Sequence, residues 1–314
     1  MESSETFRAP RVWDADAELS PEQAKCMITA RFPDLAFHSL TLLGAGWDNT
    51  AFLVDERLVF RFPRRKMAAG LIERERRILP MLAPMLPLPI PQPIFNGQPG
   101  EDYPYYFSGY LLLPGTTACH LEWTDAQRTE CAVVLASFLA SLHGVPVDAE
   151  TRNWAPGDEL RRADLEKRVP QVIARLKSLA PRLKNVDVSA VLTAVQECAS
   201  ASPWSDLGCW VHGDLYARHL LADDTHKLSG IIDWGDIHLG DRAVDLSIAF
   251  SFLPPAARTG FCNAYGPTDD ATWKRAQFRA IHYGAILFEY GLDVGDTALQ
   301  SAGIYALQAA TEGE

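Results

Sequence analysis

Residues 210–245 read WVHGDLYARHLLADDTHKLSGIIDWGDIHLGDRAVD and pack His212, Asp214, Arg218, His219, Asp233, Asp236, Asp241 and Asp245 between short apolar runs. Apolar flanks bury a chain and leave its charges at strand ends. Cys209-Trp210-Val211 reads as a strand that delivers a flexible Gly213 and then Asp214. Residues 220–221 and 228–232 read as a hairpin around 222–225, whose second strand brings Asp233 back beside the first loop. A carboxylate held at Asp214 can accept a hydrogen bond from a substrate hydroxyl and orient it for in-line attack on a γ-phosphate. A carboxylate or imidazole next to it is how Mg2+ on a nucleotide is held, with phosphate and water completing the shell. Asp214 is therefore the candidate base, and His219 and Asp233 are the candidate metal ligands.

Upstream, Ser20-Pro21-Glu22-Gln23 is a helix start, and the helix should run from 21 to about 31. Three strand-like runs follow: 40–43, 50–54 and 58–62, the last closed by Pro63. Gly44-Ala45-Gly46 lies between the first two, and glycines in such a turn let backbone N–H groups approach a phosphate. An ordinary hairpin turn fits Gly44 and Gly46 equally well. In the third strand Arg61 stands among apolar neighbours, and a buried cation needs a partner. The next helix offers Glu73 and Glu75, with Leu71, Ile72, Ile78 and Leu79 as its apolar stripe. The alternative is a surface arginine beside a solvated helix. Residues 80–100 are proline-rich and read as an extended connector, and 105–113 as a further strand closed by Pro114-Gly115.

The rest of the chain reads as helical. Thr124 and Gln127 form a capping box for a helix reaching His143, which should cap carbonyls or pack. Two or three helices fit residues 152–202, with Pro170, Pro181 and Pro203 as breaks. Asp158, Glu159, Asp164 and Glu166 read as a solvated face, with a cationic substrate as the alternative. From 243 on, aromatic and aliphatic residues at helical spacing are core.

Composition narrows the class. The 314 residues carry a net charge of −11 and a pI near 5.2, which argues against a basic nucleic-acid-binding surface. Six scattered cysteines without a C-x-x-C pair read as buried, reduced thiols. The polar N-terminus and the lack of a ~20-residue apolar run predict a cytoplasmic protein with no membrane partner.

HGDLYARHLL and GIIDWGD, followed by LGDRAVDLS, resemble the bacterial aminoglycoside and macrolide phosphotransferases. The resemblance covers residues 40–253. It implies an α+β, two-lobed, protein-kinase-like fold: residues 1–113 as an N-terminal nucleotide lobe with an antiparallel sheet and a helix, and 114–314 as a mostly helical catalytic and acceptor lobe. The implied reaction moves a γ-phosphate from GTP or ATP, with Mg2+, to a hydroxyl of an antibiotic of either class. By the same resemblance Asp214 is the base and His212 braces its loop, while His219 and Asp233 bind magnesium. Arg61 grips phosphate and pairs with Glu75. The backbone around Leu112 holds the base, and Tyr110, at the gatekeeper position, favours GTP. Two positions depart from the wider pattern: His219 replaces an asparagine, and Arg61 a lysine. The macrolide branch is similar at both, with a V-F-R-F-P-R-R strand and a WDN segment after the glycine turn. Related kinases also act on choline, homoserine or methylthioribose, and a non-catalytic nucleotide-binding module is the alternative from another class. The expected partners are a nucleotide and a small acceptor, and the expected state is a monomer or homodimer.

Overall fold

The computed structural model describes residue 16, residues 19–46 and residues 48–312, so Trp47 of the WDN segment lies outside the described residues. The chain forms two compact units. One holds the chain up to Pro80 together with Pro91–Leu112, and the other holds Met81–Ile90 and the chain from Leu113 onward.

The first unit opens with α1 (Pro21–Arg31), capped by Ser20 and Gln23 in a reciprocal capping box. Strands β1 (Leu40–Ala45), β2 (Asn49–Val54) and β3 (Leu58–Pro63) follow, then α2 (Lys66–Leu82), β4 (Phe95–Gly97) and β5 (Phe107–Leu111). The strands make one antiparallel sheet in the order β1-β2-β3-β5-β4. Asp55 and Glu56 take positive φ in the three-residue β2–β3 turn, which the Arg57 N–H closes on the Val54 carbonyl at 3.0 Å. β3 is central and buried along its whole length, whereas β1 is exposed after its first residue, so β3 can bury a charge that β1 cannot. Phe52, Phe60, Phe62, Tyr103 and Phe107 fill the core with Ala24, Met27 and Ile28 of α1.

The second unit supplies β6 (Thr116–Thr117), α3 (Asp125–His143), α4 (Ala149–Trp154), α5 (Leu165–Leu179), α6 (Val188–Cys198) and β7 (Cys209–Val211). β8 (Leu220–Ala222), β9 (Leu228–Ile231) and β10 (His238–Gly240) come next. They are followed by α7 (Ala243–Leu246), α8 (Ile248–Ser251), α9 (Pro255–Tyr265), α10 (Asp270–Val294) and α11 (Thr297–Ala309). β7 pairs with β10, and β6, β8 and β9 form a small sheet. Val172, Leu176, Val191, Val195, Phe278, Ile281, Ala285 and Leu307 close a core shared by α5, α6, α10 and α11. This is the α+β arrangement of an antiparallel sheet followed by a largely helical part.

Four expectations are corrected. The proline-rich segment is not extended from its start: α2 runs through Pro80 to Leu82 and a 3-10 turn covers Ala83–Met85. Burial of Leu79 and Leu82 offsets the one backbone bond that Pro80 cannot make. A short strand, β4, also forms within that segment. Pro170 is no break, because the stripe Val172, Leu176 and Leu179 carries α5 past it. Among the cysteines only Cys131, Cys198 and Cys209 are buried; Cys26 is exposed and Cys119 and Cys262 are intermediate.

Phe60 is fully buried and packs its ring against Phe32, Phe95 and Phe107. Phe60→Ala should therefore cost ~3–5 kcal/mol. Urea unfolding should show a lower midpoint with an unchanged slope for the transition of the first unit.

Candidate functional site

The site in the second unit hangs on a buried carboxylate. Asp245, on α7, accepts the backbone N–H of His212 at 2.7 Å through Oδ2 and that of Gly213 at 2.9 Å through Oδ1. His143, at the end of α3, brings Nε2 to 3.2 Å from Asp245 Oδ2, and its Nδ1 lies 2.8 Å from the Tyr265 hydroxyl. His143 thus caps nothing and orients Asp245. Burial alone would raise the Asp245 pKa, but the hydrogen bond and charge from His143, His212 and the Gly213 N–H hold it below the usual carboxylate range. The two loop amides that it grips lie immediately before Asp214.

His212 fixes the next contacts. Its Nε2 donates to the Ile232 carbonyl at 3.0 Å and its Nδ1 accepts the Asp214 N–H at 3.3 Å, which sets the neutral Nε2–H tautomer. Burial pushes this imidazole down to about 4, so it stays uncharged at neutral pH. One ring therefore ties the Asp214 loop to the residue before Asp233. Gly213 adopts φ +85°, and a Cβ there would come within 2.4 Å of the Asp236 carbonyl. No other residue type fits without moving the turn.

The Asp214 side chain is 20% exposed, with His219 Nδ1 at 3.7 Å and Arg279 at 3.9 Å. Burial pushes its carboxyl up to about 6, against the lowering influence of His219, Tyr283 and Arg279. His219 Nδ1 donates to the Asp214 carbonyl at 2.7 Å, so in the neutral ring Nε2 bears the lone pair. Nε2 faces Asp233 Oδ2 at 3.3 Å. Two lone-pair atoms rest this close only when the ring is protonated or a cation lies against both. Burial lowers the proton affinity of His219, but Asp233 and Asp214 raise it by more. An octahedral Mg2+ with ligands at about 2.1 Å sets neighbouring ligand atoms about 3.0 Å apart, so the pair fits one shared ion. Asp233 is held at φ +62°, a strained backbone for a non-glycine residue that aims its carboxylate back at His219. Among the described residues no three His, Cys, Asp or Glu side chains converge to cage a metal, so phosphate and water would complete the shell.

In the first unit, Arg61 Nη1 lies 2.7 Å from Glu75 Oε1, and the side chains are 7% and 1% exposed. Glu73 is not the partner. A Cβ at Gly44 would meet nothing within 4 Å, and one at Gly46 only the Asn49 carbonyl at 3.9 Å, so packing does not demand glycine at either position. Tyr110 is buried opposite Val59 in the β3–β5 ladder. The N–H of Leu112 is spent on the Arg57 carbonyl at 2.8 Å, so it cannot donate to a base. By strand alternation Leu111 turns its backbone groups the other way, past the end of β4's pairing with β5.

A model of the phosphotransferase enzyme family matches residues 39–279. The chain belongs to that family. The Bacillus subtilis (strain 168) uncharacterized protein YcbJ is 21% identical over 204 residues, covering 61% of this chain and 63% of that relative's length. Among solved structures, the GDP complex of wild-type aminoglycoside 2'-phosphotransferase-IIIa has a TM-score of 0.69 at 23% identity, over 93% of this chain and 99% of that one. Macrolide 2'-phosphotransferase MphH from Brachybacterium faecium has a TM-score of 0.60 at 24% identity, over 90% and 97%. Likeness at this identity establishes the fold.

In this phosphotransferase-family chain, several residues around Asp214 had no mark in the sequence. Arg279 and Tyr283 come from α10, whose helical spacing reads as core, and His143 reads as a cap or a packed residue. Of the acids read as a solvated face, Glu159 and Glu166 are exposed, and Asp158 and Asp164 are engaged, as are other acids of this unit. Asp158 pairs with Arg162 at 2.9 Å, and Arg162 also reaches Asp236. Asp164 caps α5. Asp241 is buried against Arg275 at 2.6 Å, and Glu289 pairs with Arg175 at 2.8 Å.

Acid should unfold the protein through its histidines. Burial lowers His212 to about 4 and also lowers His238 and His282, and His282 Nδ1 has no hydrogen-bond partner among the described residues. Between the unfolded pKa and the lower folded one, the unfolded chain binds more protons, so stability falls as pH drops from about 6.5 toward 4. Two groups act in the opposite sense: His219, raised by Asp233 and Asp214, whose effect lies above about 6.5, and Asp214, raised to about 6, which alone opposes the three histidines within this range. Thermal midpoints across this range should decline with falling pH, and His282→Leu should flatten the decline.

Proposed function

We propose that this chain transfers the γ-phosphate of GTP or ATP, with Mg2+, to a hydroxyl of a small acceptor of the aminoglycoside or macrolide type in the cytoplasm. The observation that carries the reading is the Asp214 loop. A partly exposed carboxylate, raised to about 6 and so ionised at neutral pH, is fixed beside a His219–Asp233 pair spaced for one ion. Asp214 accepts the hydroxyl's hydrogen bond and takes its proton as the oxygen attacks phosphorus. His219 and Asp233 would hold the nucleotide's Mg2+, which neutralises charge on the phosphates. In the first unit Arg61, anchored by Glu75, supplies the phosphate grip, and the glycines at 44 and 46 leave room for close backbone approach.

Two further features support finer choices. The relatives of known fold include GDP complexes, one of them with kanamycin, as well as ADP- and ATP-bound forms. The bulk of Tyr110 favours the guanine donor. For the acceptor, the acids that would form an acidic groove are already paired: Asp158 and Asp236 with Arg162, Glu289 with Arg175, Asp241 with Arg275. That favours a macrolide-like acceptor, large and weakly charged, over a polycation. The metabolite-kinase reading makes the opposite forecast, with turnover on small alcohols and none on either antibiotic class. Against a non-catalytic module stand the His219–Asp233 approach and the buried Arg61–Glu75 pair, both of which support the catalytic reading.

Asp214→Asn should lower acceptor-dependent release of nucleoside diphosphate by about 10²–10⁴-fold without lowering the thermal midpoint. A folded variant with unchanged release would remove Asp214 as the base. Tyr110→Ala should raise kcat/KM for ATP relative to GTP; an unchanged ratio would withdraw its role in base choice.

A further inference from the structure

We propose that Arg279 is an oxyanion-binding residue beside Asp214, occupied during turnover by the transferring phosphoryl group. The inference rests on the phosphoryl-transfer reading and adds a residue to it. Arg279 sits on α10 with its side chain 7% exposed and its guanidinium 4.4 Å over the Tyr283 ring. Its Nη2 is 3.9 Å from Asp214 Oδ1, beyond hydrogen-bond range. A guanidinium carries five N–H donors in a planar fork, yet among the described residues Arg279 donates no hydrogen bond.

The other buried arginines of the second unit show that this is not the general pattern. Arg275 donates to Asp241, Ser202 and Thr272. Arg258 donates to the carbonyls of Ala249, Ala309 and Glu312. Arg162 is shared between Asp158 and Asp236. A buried polar group left unpartnered is costly, and a cation more so. If Arg279 existed to neutralise Asp214, it would close to the ~2.8 Å of an ordinary charge-assisted bond. Instead it stands off by about 1.1 Å more than that (3.9 − 2.8), with its guanidinium over the Tyr283 ring.

Chemistry supplies the missing partner. An acceptor hydroxyl held by Asp214 lies about 2.6–3.2 Å from the carboxylate. The phosphorus it attacks lies about 3–3.5 Å further on. The equatorial phosphoryl oxygens therefore fall beside the same carboxylate that Arg279 flanks. In the step, the acceptor oxygen forms a bond to phosphorus, the hydroxyl proton passes to Asp214, and the bond to the β-phosphate oxygen breaks with its electron pair leaving on the diphosphate. Charge gathers on oxygens that a preorganised guanidinium can bind without reorganising. The cation also offsets the repulsion between Asp214 and the phosphate monoester just formed. An anionic group on the acceptor would present the same chemistry to Arg279, and the kinetics separate the two sources.

The test uses the full chain with Arg279→Gln and Arg279→Lys. Acceptor-free nucleotide hydrolysis and acceptor-dependent transfer are measured with thermal midpoints as the folding control. Arg279→Gln should lower kcat by about 10²–10³-fold in both reactions with nucleotide KM nearly unchanged, and Arg279→Lys should recover part of the loss. A rise confined to acceptor KM would assign the oxyanion to the acceptor and overturn the phosphoryl assignment. Full retention of kcat and both KM values in Arg279→Gln would overturn the site itself. A readout free of turnover is the thermal midpoint of GDP- and Mg2+-saturated protein titrated with inorganic sulfate. Wild type should gain stability and Arg279→Gln should gain less, with Arg279→Lys compared in its place if the glutamine variant does not fold; equal gains would overturn the site. If wild type neither hydrolyses nucleotide nor phosphorylates any acceptor, the phosphotransfer reading falls and sulfate alone decides on Arg279.

Discussion

A carboxylate with no solvent exposure, Asp245, receives the backbone amides of His212 and Gly213 and the imidazole of His143. Buried charge is costly unless each lone pair is met, and here the hydrogen bonds that satisfy it also position the loop that carries Asp214. The constraint propagates. His212, held in register by Asp245, reaches Ile232 and so places Asp233 beside His219. Gly213 must take a positive φ for the amides to point inward, and Asp233 must take one to point back. The Asp214 carboxylate and the His219–Asp233 pair are thus set by one buried anion and two left-handed residues, with few degrees of freedom left.

The first unit solves a parallel problem. Arg61 is held inside the sheet because β3 is buried on both faces, and Glu75 meets it from α2. A cation bound to its own carboxylate is held in one orientation. Both units therefore bury a charged group to fix geometry: one orients Arg61, the other the loop that carries Asp214. Arg279 is the exception that the rest of the structure makes visible, a buried cation beside Asp214 that donates no hydrogen bond among the described residues.

Much of this was legible in the sequence. The hairpin of β8 and β9 and the return of Asp233 toward Asp214 follow from alternation and a turn, and the Arg61–Glu75 pair follows from a charge in an apolar strand. The capping boxes at Ser20 and Thr124 formed as read. Three-dimensional proximity was not legible. His143, Arg279 and Tyr283 lie 71, 65 and 69 residues from Asp214, counting 214−143, 279−214 and 283−214. Helical spacing marks such residues as core without saying what they face. Pro80 and Pro170 misled because tertiary burial outweighed a local rule. That the Leu112 N–H points at β3 was not legible either, because strand parity depends on the register with β3.

The central claim is that this chain moves a phosphoryl group from a nucleotide to an alcohol. The most direct measurement follows the γ-phosphorus of labelled GTP and ATP, with Mg2+, across macrolides, aminoglycosides and small hydroxylated metabolites. The account predicts label on an acceptor hydroxyl, with GTP as the better donor. Folded, nucleotide-bound protein that leaves all label on nucleotide or on inorganic phosphate, whatever the acceptor, would contradict it.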